Sequence, residues 1–321
     1  MRRKANQRMT AKSTLVIPKD QSTSLNDQPP ARKLSIVLPA KNEAENLRVL
    51  LPKLRHAYLQ AEILVIDDGS TDRTPEICKL NRVETIRHPF SMGNGAAIKT
   101  GARKASGDVI VFMDADGQHN PDDIPRLLKK IDEGYYLVVG ARTPASHASL
   151  ARRLGNGFYN RFASVMTGYC IKDLTSGFRA VRAHRFRKFI YLLPNGFSYP
   201  TTSTMAFFRA GFPVTYVPIQ AGKRKGKSKI KLVRDGMRFF IIILKIGALF
   251  SPMRLFLPIS IFLFSSGLGL YAYNYYLQAR FTNMSLFLLI SALFTLLIGL
   301  VSEQISSLHY RGIESGGKDN L

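Results

Sequence analysis

Two stretches near the C-terminal end carry no charged residue: Leu255 to Leu277, and Phe281 to Ser302. A helix rises about 1.5 Å per residue, so about 20 apolar residues cross a hydrocarbon core of about 30 Å. Both stretches pass that length, and a water-soluble domain seldom needs two such runs as core helices. The connector Gln278-Ala279-Arg280-Phe281-Thr282-Asn283 is short. It predicts an antiparallel hairpin with both outer ends on one side, within 251–309, its helices at about 252–277 and 283–306. The Lys and Arg residues before Leu255, Arg254 among them, put that side in the cytoplasm by the positive-inside rule, with Arg280 alone opposite. Tyr271, Tyr273, Tyr275 and Tyr276 supply an interfacial aromatic belt in a chain without Trp. An integral membrane protein follows, with its globular part cytoplasmic.

The rest of the chain is polar and basic. Over 321 residues, 46 Lys and Arg stand against 22 Asp and Glu, a net charge of +24. The mean hydropathy of −0.03 averages a polar domain with a greasy anchor and describes neither. Such charge points to anions: nucleic acid, a membrane surface or phosphorylated ligands. Basic–aromatic stacking motifs and a recognisable reader fold are missing, so no nucleic-acid partner is expected. Two cysteines, Cys78 and Cys170, exclude a disulfide scaffold. Residues 1–32 form a flexible basic arm, whose run Leu15-Val16-Ile17 is shorter than the roughly 7–15 residues of a secretory h-region. Residues 231–250 are basic at Lys231, Arg234, Arg238 and Lys245 and apolar from Phe239 to Leu244. They read as an amphipathic helix lying on the membrane surface or packed on the globular domain. Residues 310–321 form a cytoplasmic tail.

Residues 33–230 alternate strand-like and helix-like patterns. Apolar runs at Leu34–Leu38, Ala61–Ile66 and Val109–Met113 end in Pro39, Asp67-Asp68-Gly69-Ser70 and Asp114-Ala115-Asp116. Shorter strands are expected at Val83–Arg87 and Tyr136–Gly140. Helical spacing follows at Glu45–Leu59 (interrupted by Pro52), Thr71–Leu80 (capped by Ser70 or Thr71), Ala96–Ala105 and Pro121–Gly134. This alternation predicts an α/β fold with a mixed, mainly parallel sheet covered by helices on both faces. Ligands of such sheets sit at the carboxyl ends of the strands, where the acidic turns fall.

Acids are scarce here, so their clustering is informative. Asp114 and Asp116, two residues apart after a buried strand, form a turn whose carboxylates can face one ligand. Hard oxygen ligands of this kind suit Mg²⁺ or Mn²⁺ shared with phosphate oxygens. His119 reads either as a metal ligand or as polar rim. Gly93-Asn94-Gly95 is followed by Ile98 where a dinucleotide fingerprint needs a third small residue, so hydride-transfer chemistry is disfavoured. Close approach to a ligand or a tight turn remain as readings of these glycines.

Four motifs in order resemble family 2 inverting glycosyltransferases of GT-A fold, in the polyprenyl-phosphate glycosyltransferase branch. They are Leu38-Pro39-Ala40-Lys41-Asn42-Glu43, Val65-Ile66-Asp67-Asp68-Gly69-Ser70-Thr71-Asp72, Met113-Asp114-Ala115-Asp116-Gly117-Gln118-His119 and Asp173-Leu174-Thr175-Ser176-Gly177-Phe178-Arg179. The resemblance covers about Lys33 to Lys231. It implies that Pro39, Lys41, Glu43, Asp67 and Asp68 hold the nucleoside of a UDP- or GDP-linked sugar. It implies that Asp114, Asp116 and Gln118 hold Mg²⁺ or Mn²⁺ and the donor diphosphate. Arg224, Lys227 and Lys229 match a basic loop that closes over that diphosphate. Arg152, Arg153, Lys172, Ser176 and Arg179 fall in the region for the phosphate of a polyprenyl-phosphate acceptor. Asp116 and Asp173 are the candidate catalytic residues. Asp173 is left between a base, an orienter of Lys172, a turn cap and a partner of Arg179. Ser91-Met92-Gly93-Asn94-Gly95 departs from the family's basic segment at that place.

The implied reaction moves a sugar onto a lipid phosphate at the cytoplasmic face of a bacterial inner membrane, by an enzyme expected to form a homo-oligomer. Processive polysaccharide synthases of the same fold share a Gln-X-X-Arg-Trp motif and more spans, which two spans and no Trp disfavour. An inactive membrane adaptor is disfavoured by the intact acidic motifs.

Overall fold

The computed structural model describes residues 32–143, 150–196, 198–220, 222, 244, 247, 248, 250–278 and 280–315, with backbone alone for 150–156, 158, 278 and 309–315. The basic arm up to residue 31, Arg224, Lys227, Lys229 and most of the expected surface helix lie outside the described residues.

Seven strands form one sheet: β1 Leu34–Ala40, β2 Glu62–Asp67, β3 Glu84–Arg87, β4 Val109–Phe112, β5 Leu137–Arg142, β6 Arg179–Arg182 and β7 Val214–Ile219. Their order is β3-β2-β1-β4-β6-β5-β7. All neighbours are parallel except β6, which runs antiparallel to β4 and β5. The reversed strand starts at the edge where its neighbours finish. The carboxyl ends of β1, β2, β4, β5 and β7 therefore meet the amino end of β6.

Strand residues alternate between two cores. Val37, Ile66, Phe112 and Val139 pack with α3 (Asn94–Lys104), α5 (Leu150–Thr167) and α7 (Tyr199–Arg209). Ile36, Leu38, Val65 and Val111 pack with α1 (Ala44–Ala57) and α4 (Ile124–Asp132). This period of two is what burial on both faces requires.

Three local features differ from the sequence expectation. β1 runs through Pro39, because Val37 gives its carbonyl to Met113 and Ala40 gives its own to Asp68. By alternation Pro39 turns its missing N–H toward β4, where the pairing has ended at Val37–Phe112. Helix α1 continues through Pro52. Helix α2 (Thr74–Leu80) begins later than expected, and its first N–H bonds to Asp72, whose other oxygen accepts from the Ala44 N–H. Asp72, rather than Ser70 or Thr71, thus serves two helix starts.

The chain then reaches α6 (Ala183–Arg187) and, after α7 and β7, two long helices: α8 Pro252–Gln278 and α9 Asn283–Ser315. Both are long and apolar enough to cross a membrane. Small residues hold them together. Ser260 bonds the Ala292 carbonyl at 2.8 Å, and a Cβ on Gly299 would lie 2.9 Å from Phe256 Cβ. Large apolar side chains such as Phe262, Phe287 and Phe294 face outward.

Candidate active site

The nucleoside-side loops are stitched by short polar side chains. Asn42 adopts φ 57°, and its Oδ1 accepts from the Thr71 N–H at 2.8 Å. The Asn42 N–H bonds Ser70 Oγ, and the Glu43 N–H bonds Thr74 Oγ1. Pro39 and Glu43 are half-buried and Lys41 is exposed, its Nζ 2.7 Å from Ser91 Oγ. Glu43 accepts from Asn46 at 2.6 Å. Asp67 is fully buried; its Oδ1 takes the Ser70 N–H and its Oδ2 lies 3.4 Å from Arg87 Nε.

Asp68 does something the sequence did not reveal. Its two oxygens face His88 Nδ1, Ser91 Oγ and the N–H groups of Met92 and Gly93, all at 2.8–2.9 Å. Burial alone would raise its pKa, but these partners hold it below the ordinary carboxylate value. Asp68 therefore shapes the 88–93 turn from beneath and spends both oxygens there. The glycines after that turn meet protein. The Gly95 and Ala96 N–H groups donate to the Gly196 and Asn195 carbonyls, and a Cβ on Gly95 would fall on the Pro194 carbonyl oxygen. The close approach at Gly95 is to the chain's own backbone and not to a ligand, and Gly93, at φ +101°, fits the turn reading.

The acidic turn follows β4. Asp114 keeps about a third of its side-chain surface open, with Oδ2 3.5 Å from His119 Nε2. Burial raises its pKa, but His119, Arg142 and Arg179 outweigh this and hold it low. Its carboxylate rests on Gly177, where an added Cβ would lie 2.9 Å from both Cγ and Oδ1. Asp116 Oδ1 accepts the Gln118 N–H at 3.1 Å, across Gly117 at φ +73°. The Gln118 carbonyl takes the Gly222 N–H and its Nε2 reaches the Gly222 carbonyl. Gly222, the last described residue before 244, is thus bonded to this turn from both its N–H and its carbonyl. The His119 ring stacks on Phe178, and its Nδ1 is buried with no hydrogen-bond partner among the described residues.

This donor set fits a hard divalent ion: two carboxylates and an amide from one turn. Among the described residues no three His, Cys, Asp or Glu side chains converge into a complete cage. An ion held here would need further oxygen ligands, which water and a substrate phosphate could supply.

The third part of the edge is where β5 ends and β6 begins. Asp173 is buried, and Arg142 grips it bidentately, Nε to Oδ2 at 2.8 Å and Nη2 to Oδ1 at 2.9 Å. The N–H groups of Arg142 and Thr175 add two more bonds. Burial pushes the Asp173 pKa up, but Arg142 more than reverses this and keeps the carboxylate ionised. The partner of Asp173 is therefore Arg142, not Arg179 or Lys172, and a carboxylate so engaged and so acidic is no ready base. Arg142 is the residue sequence reasoning missed. The strand was expected to stop at Gly140, which kept its last residue off the edge.

Lys172 is exposed there, and Ser176 is buried with its hydroxyl unpartnered among the described residues. Arg179 is a correction to the acceptor set. It is fully buried, with its guanidinium bonded to Pro200 O, Ser203, Thr204 and Ser176 O. It supports the floor and does not face a ligand. Arg152 and Arg153 lie on α5, but their side chains are outside the described residues.

A parallel-edge α/β site with paired hard ligands beside a guanidinium defines a domain that handles phosphorylated ligands. The family model for glycosyl transferase family 2 matches residues 35–191, and that for the GtrB C-terminal hairpin matches 251–308. The chain is 30% identical over 234 residues to polyprenol monophosphomannose synthase of Mycolicibacterium smegmatis, covering 67% of this chain and 88% of that one. It is 32% identical to the undecaprenyl-phosphate 4-deoxy-4-formamido-L-arabinose transferase of Salmonella newport, over 65% of each chain. The chain belongs to glycosyltransferase family 2. Its fold is that of glucosyl-3-phosphoglycerate synthase from Mycobacterium tuberculosis, solved with Mn²⁺ and UDP-glucose. That match has a TM-score of 0.56 at 19% identity, over 68% of this chain and 79% of that one.

Proposed function

We propose that this enzyme transfers a sugar from a UDP- or GDP-linked donor to a polyprenyl phosphate, with inversion, on the cytoplasmic face of a membrane. The observation that carries this is one sheet edge holding Asp114 and Asp116 beside the Arg142–Asp173 pair, in a chain with an apolar hairpin. Its relatives named for polyprenol and undecaprenyl phosphate support the acceptor class.

Pro39, Lys41 and Glu43 line the nucleoside end, and the buried Asp67 supports the adjoining turn through the Ser70 N–H. Asp114, Asp116 and Gln118 would hold Mg²⁺ or Mn²⁺, which neutralises charge developing on the departing diphosphate. Arg224, Lys227 and Lys229, which follow Gly222 in sequence, are assigned to add positive charge to that group. The nucleophile, a phosphate oxygen, is ionised at neutral pH and needs placement more than deprotonation. Arg142 and Lys172, with Arg152 and Arg153 at the start of α5, supply cations for that placement, and Asp173 aims Arg142. Attack opposite the diphosphate inverts the anomeric centre. The positive-inside rule sets the catalytic domain in the cytoplasm, at a bacterial inner membrane. Assembly is read as a homo-oligomer, which mass measurement in nanodiscs checks.

Thermal shift with a panel of UDP- and GDP-sugars, with and without Mn²⁺ or Mg²⁺, should show one donor that stabilises the protein only with metal. Asp116→Ala should abolish transfer to undecaprenyl phosphate in vesicles while membrane insertion persists. Retained transfer in that variant sinks the reading.

A further inference from the structure

Leu255 of the hairpin packs on the catalytic core, and two arginine contacts join the hairpin to the ends of α5 and α7, helices whose other contacts reach the site. Arg254, in the first turn of α8, donates Nη1 to the carbonyls of Val165 and Met166 at 3.0 and 3.1 Å. Those are among the last carbonyls of α5, where a cation also meets the negative end of the helix dipole. Gly168 closes α5 at φ +80°, and a Cβ there would sit 2.9 Å from Arg254 Nη1. Higher in α5, Asn160 bonds the Lys172 carbonyl and the Leu174 N–H, and Ser164 takes the Ile171 N–H. The segment so held carries Asp173, and through it Arg142.

The second contact starts from an acid at the end of an apolar run. Glu303 follows the uncharged stretch of α9, where a lone carboxylate is costly. Its Oε1 lies 2.6 Å from Arg209 Nη2, at the last residue of α7, and its Oε2 takes the Met253 N–H of α8 at 3.3 Å. The first residue of α7, Tyr199, donates its hydroxyl to the Gly177 carbonyl at 3.2 Å. Gly177 is the surface on which the Asp114 carboxylate rests.

We propose that Arg254 and Glu303 are positioning residues for sugar transfer. They clamp the hairpin to the far ends of α5 and α7 and so fix Arg142 and Gly177 relative to the bilayer from which the acceptor comes. This rests on the lipid-phosphate acceptor reading. The hairpin is then part of the acceptor site's geometry as well as its anchor.

The test uses the full chain in vesicles containing undecaprenyl phosphate, with the donor panel and Mn²⁺. Arg254→Lys keeps the charge but loses the fork over two carbonyls, and Glu303→Gln keeps the shape. Each should raise the acceptor KM about three- to tenfold, with kcat, donor KM and donor hydrolysis by water unchanged. The amides of residues 171–177 should exchange hydrogen faster. The paired swap Arg209→Glu with Glu303→Arg should bring the acceptor KM back toward wild type from the higher values of Arg209→Glu alone and Glu303→Arg alone. Unchanged acceptor KM and exchange in both variants overturn the proposal, as does an equal loss of donor binding and transfer. A wild-type protein that glycosylates no undecaprenyl phosphate refutes the acceptor reading instead, and the exchange measurement still decides the clamp.

Discussion

Gly177→Ala isolates the geometry of the acidic turn from its chemistry. Gly177 does not have positive φ, so alanine fits its backbone. The new Cβ, however, would lie 2.9 Å from Asp114 Cγ and Oδ1, and closer still to Oδ2. Ordinary contact needs about 3.5–4.0 Å, so the carboxylate must retreat by about 1 Å. A misplacement of that size costs about 100-fold in rate, or about 2.7 kcal/mol. Because Asp114 is a third open, it yields without disturbing the core, and the melting temperature should hold. Transfer assays and Mn²⁺ titration by electron paramagnetic resonance should fall together. Gly157→Ala, whose added Cβ meets nothing within 4 Å, is the matched control. A Gly177→Ala enzyme with wild-type rate and Mn²⁺ affinity would refute the assignment of Asp114.

Arg142→Ala leaves the buried Asp173 carboxylate without its guanidinium, which should cost about 3 kcal/mol in denaturant unfolding. Because the Asp173 pKa is depressed, the pair's contribution is full above the ordinary Asp range near pH 4 and fades as pH falls below it. The stability gap between wild type and Asp173→Asn should therefore narrow between pH 6 and pH 3, and a constant gap would contradict the pairing. Asp68→Asn sets an amide against two backbone N–H donors and should cost about 1.5–3 kcal/mol by urea melt, with faster proteolysis in the 88–93 turn. Gly95→Ala drives a Cβ into the Pro194 carbonyl and should cost about 1–3 kcal/mol by thermal melt.

Much of the donor half was legible. The runs that became β1, β2 and β4 are mainly apolar because both faces are buried, and a proline or an acid falls near the end of each. The hairpin was legible from missing charge alone. The acceptor half was not. Strand β6 is four residues with arginine at both ends, and nothing in Arg-Ala-Val-Arg announces a central strand. Helix α7 contains Thr-Thr-Ser-Thr, poor helix formers by composition. They are buried because their hydroxyls turn back to helix carbonyls, Thr202 to Ser198 and Thr204 to Pro200. The hydroxyls of Ser203 and Thr204 in this run receive Arg179, so a residue matched to a motif is buried beside α7. Asp68 also belongs to a matched motif, and its oxygens are engaged by the 88–93 turn. A motif shows which residues recur together but not which of them hold the backbone.

The strand order also sets a clock for synthesis. Strand β4, all apolar and wholly buried in the finished fold, has its β1 partner already synthesised before it, but its other edge must wait for β6. That partner arrives roughly 70 residues later, about 3–14 s at translation rates of about 5–20 residues per second. Throughout that interval Val-Ile-Val-Phe stands as an open edge on a half-built sheet, the type of surface that recruits strands from other chains. Slower elongation between residues 113 and 178 lengthens the exposure. Expression yield should therefore depend on the speed of that stretch more than on the stability of the completed enzyme.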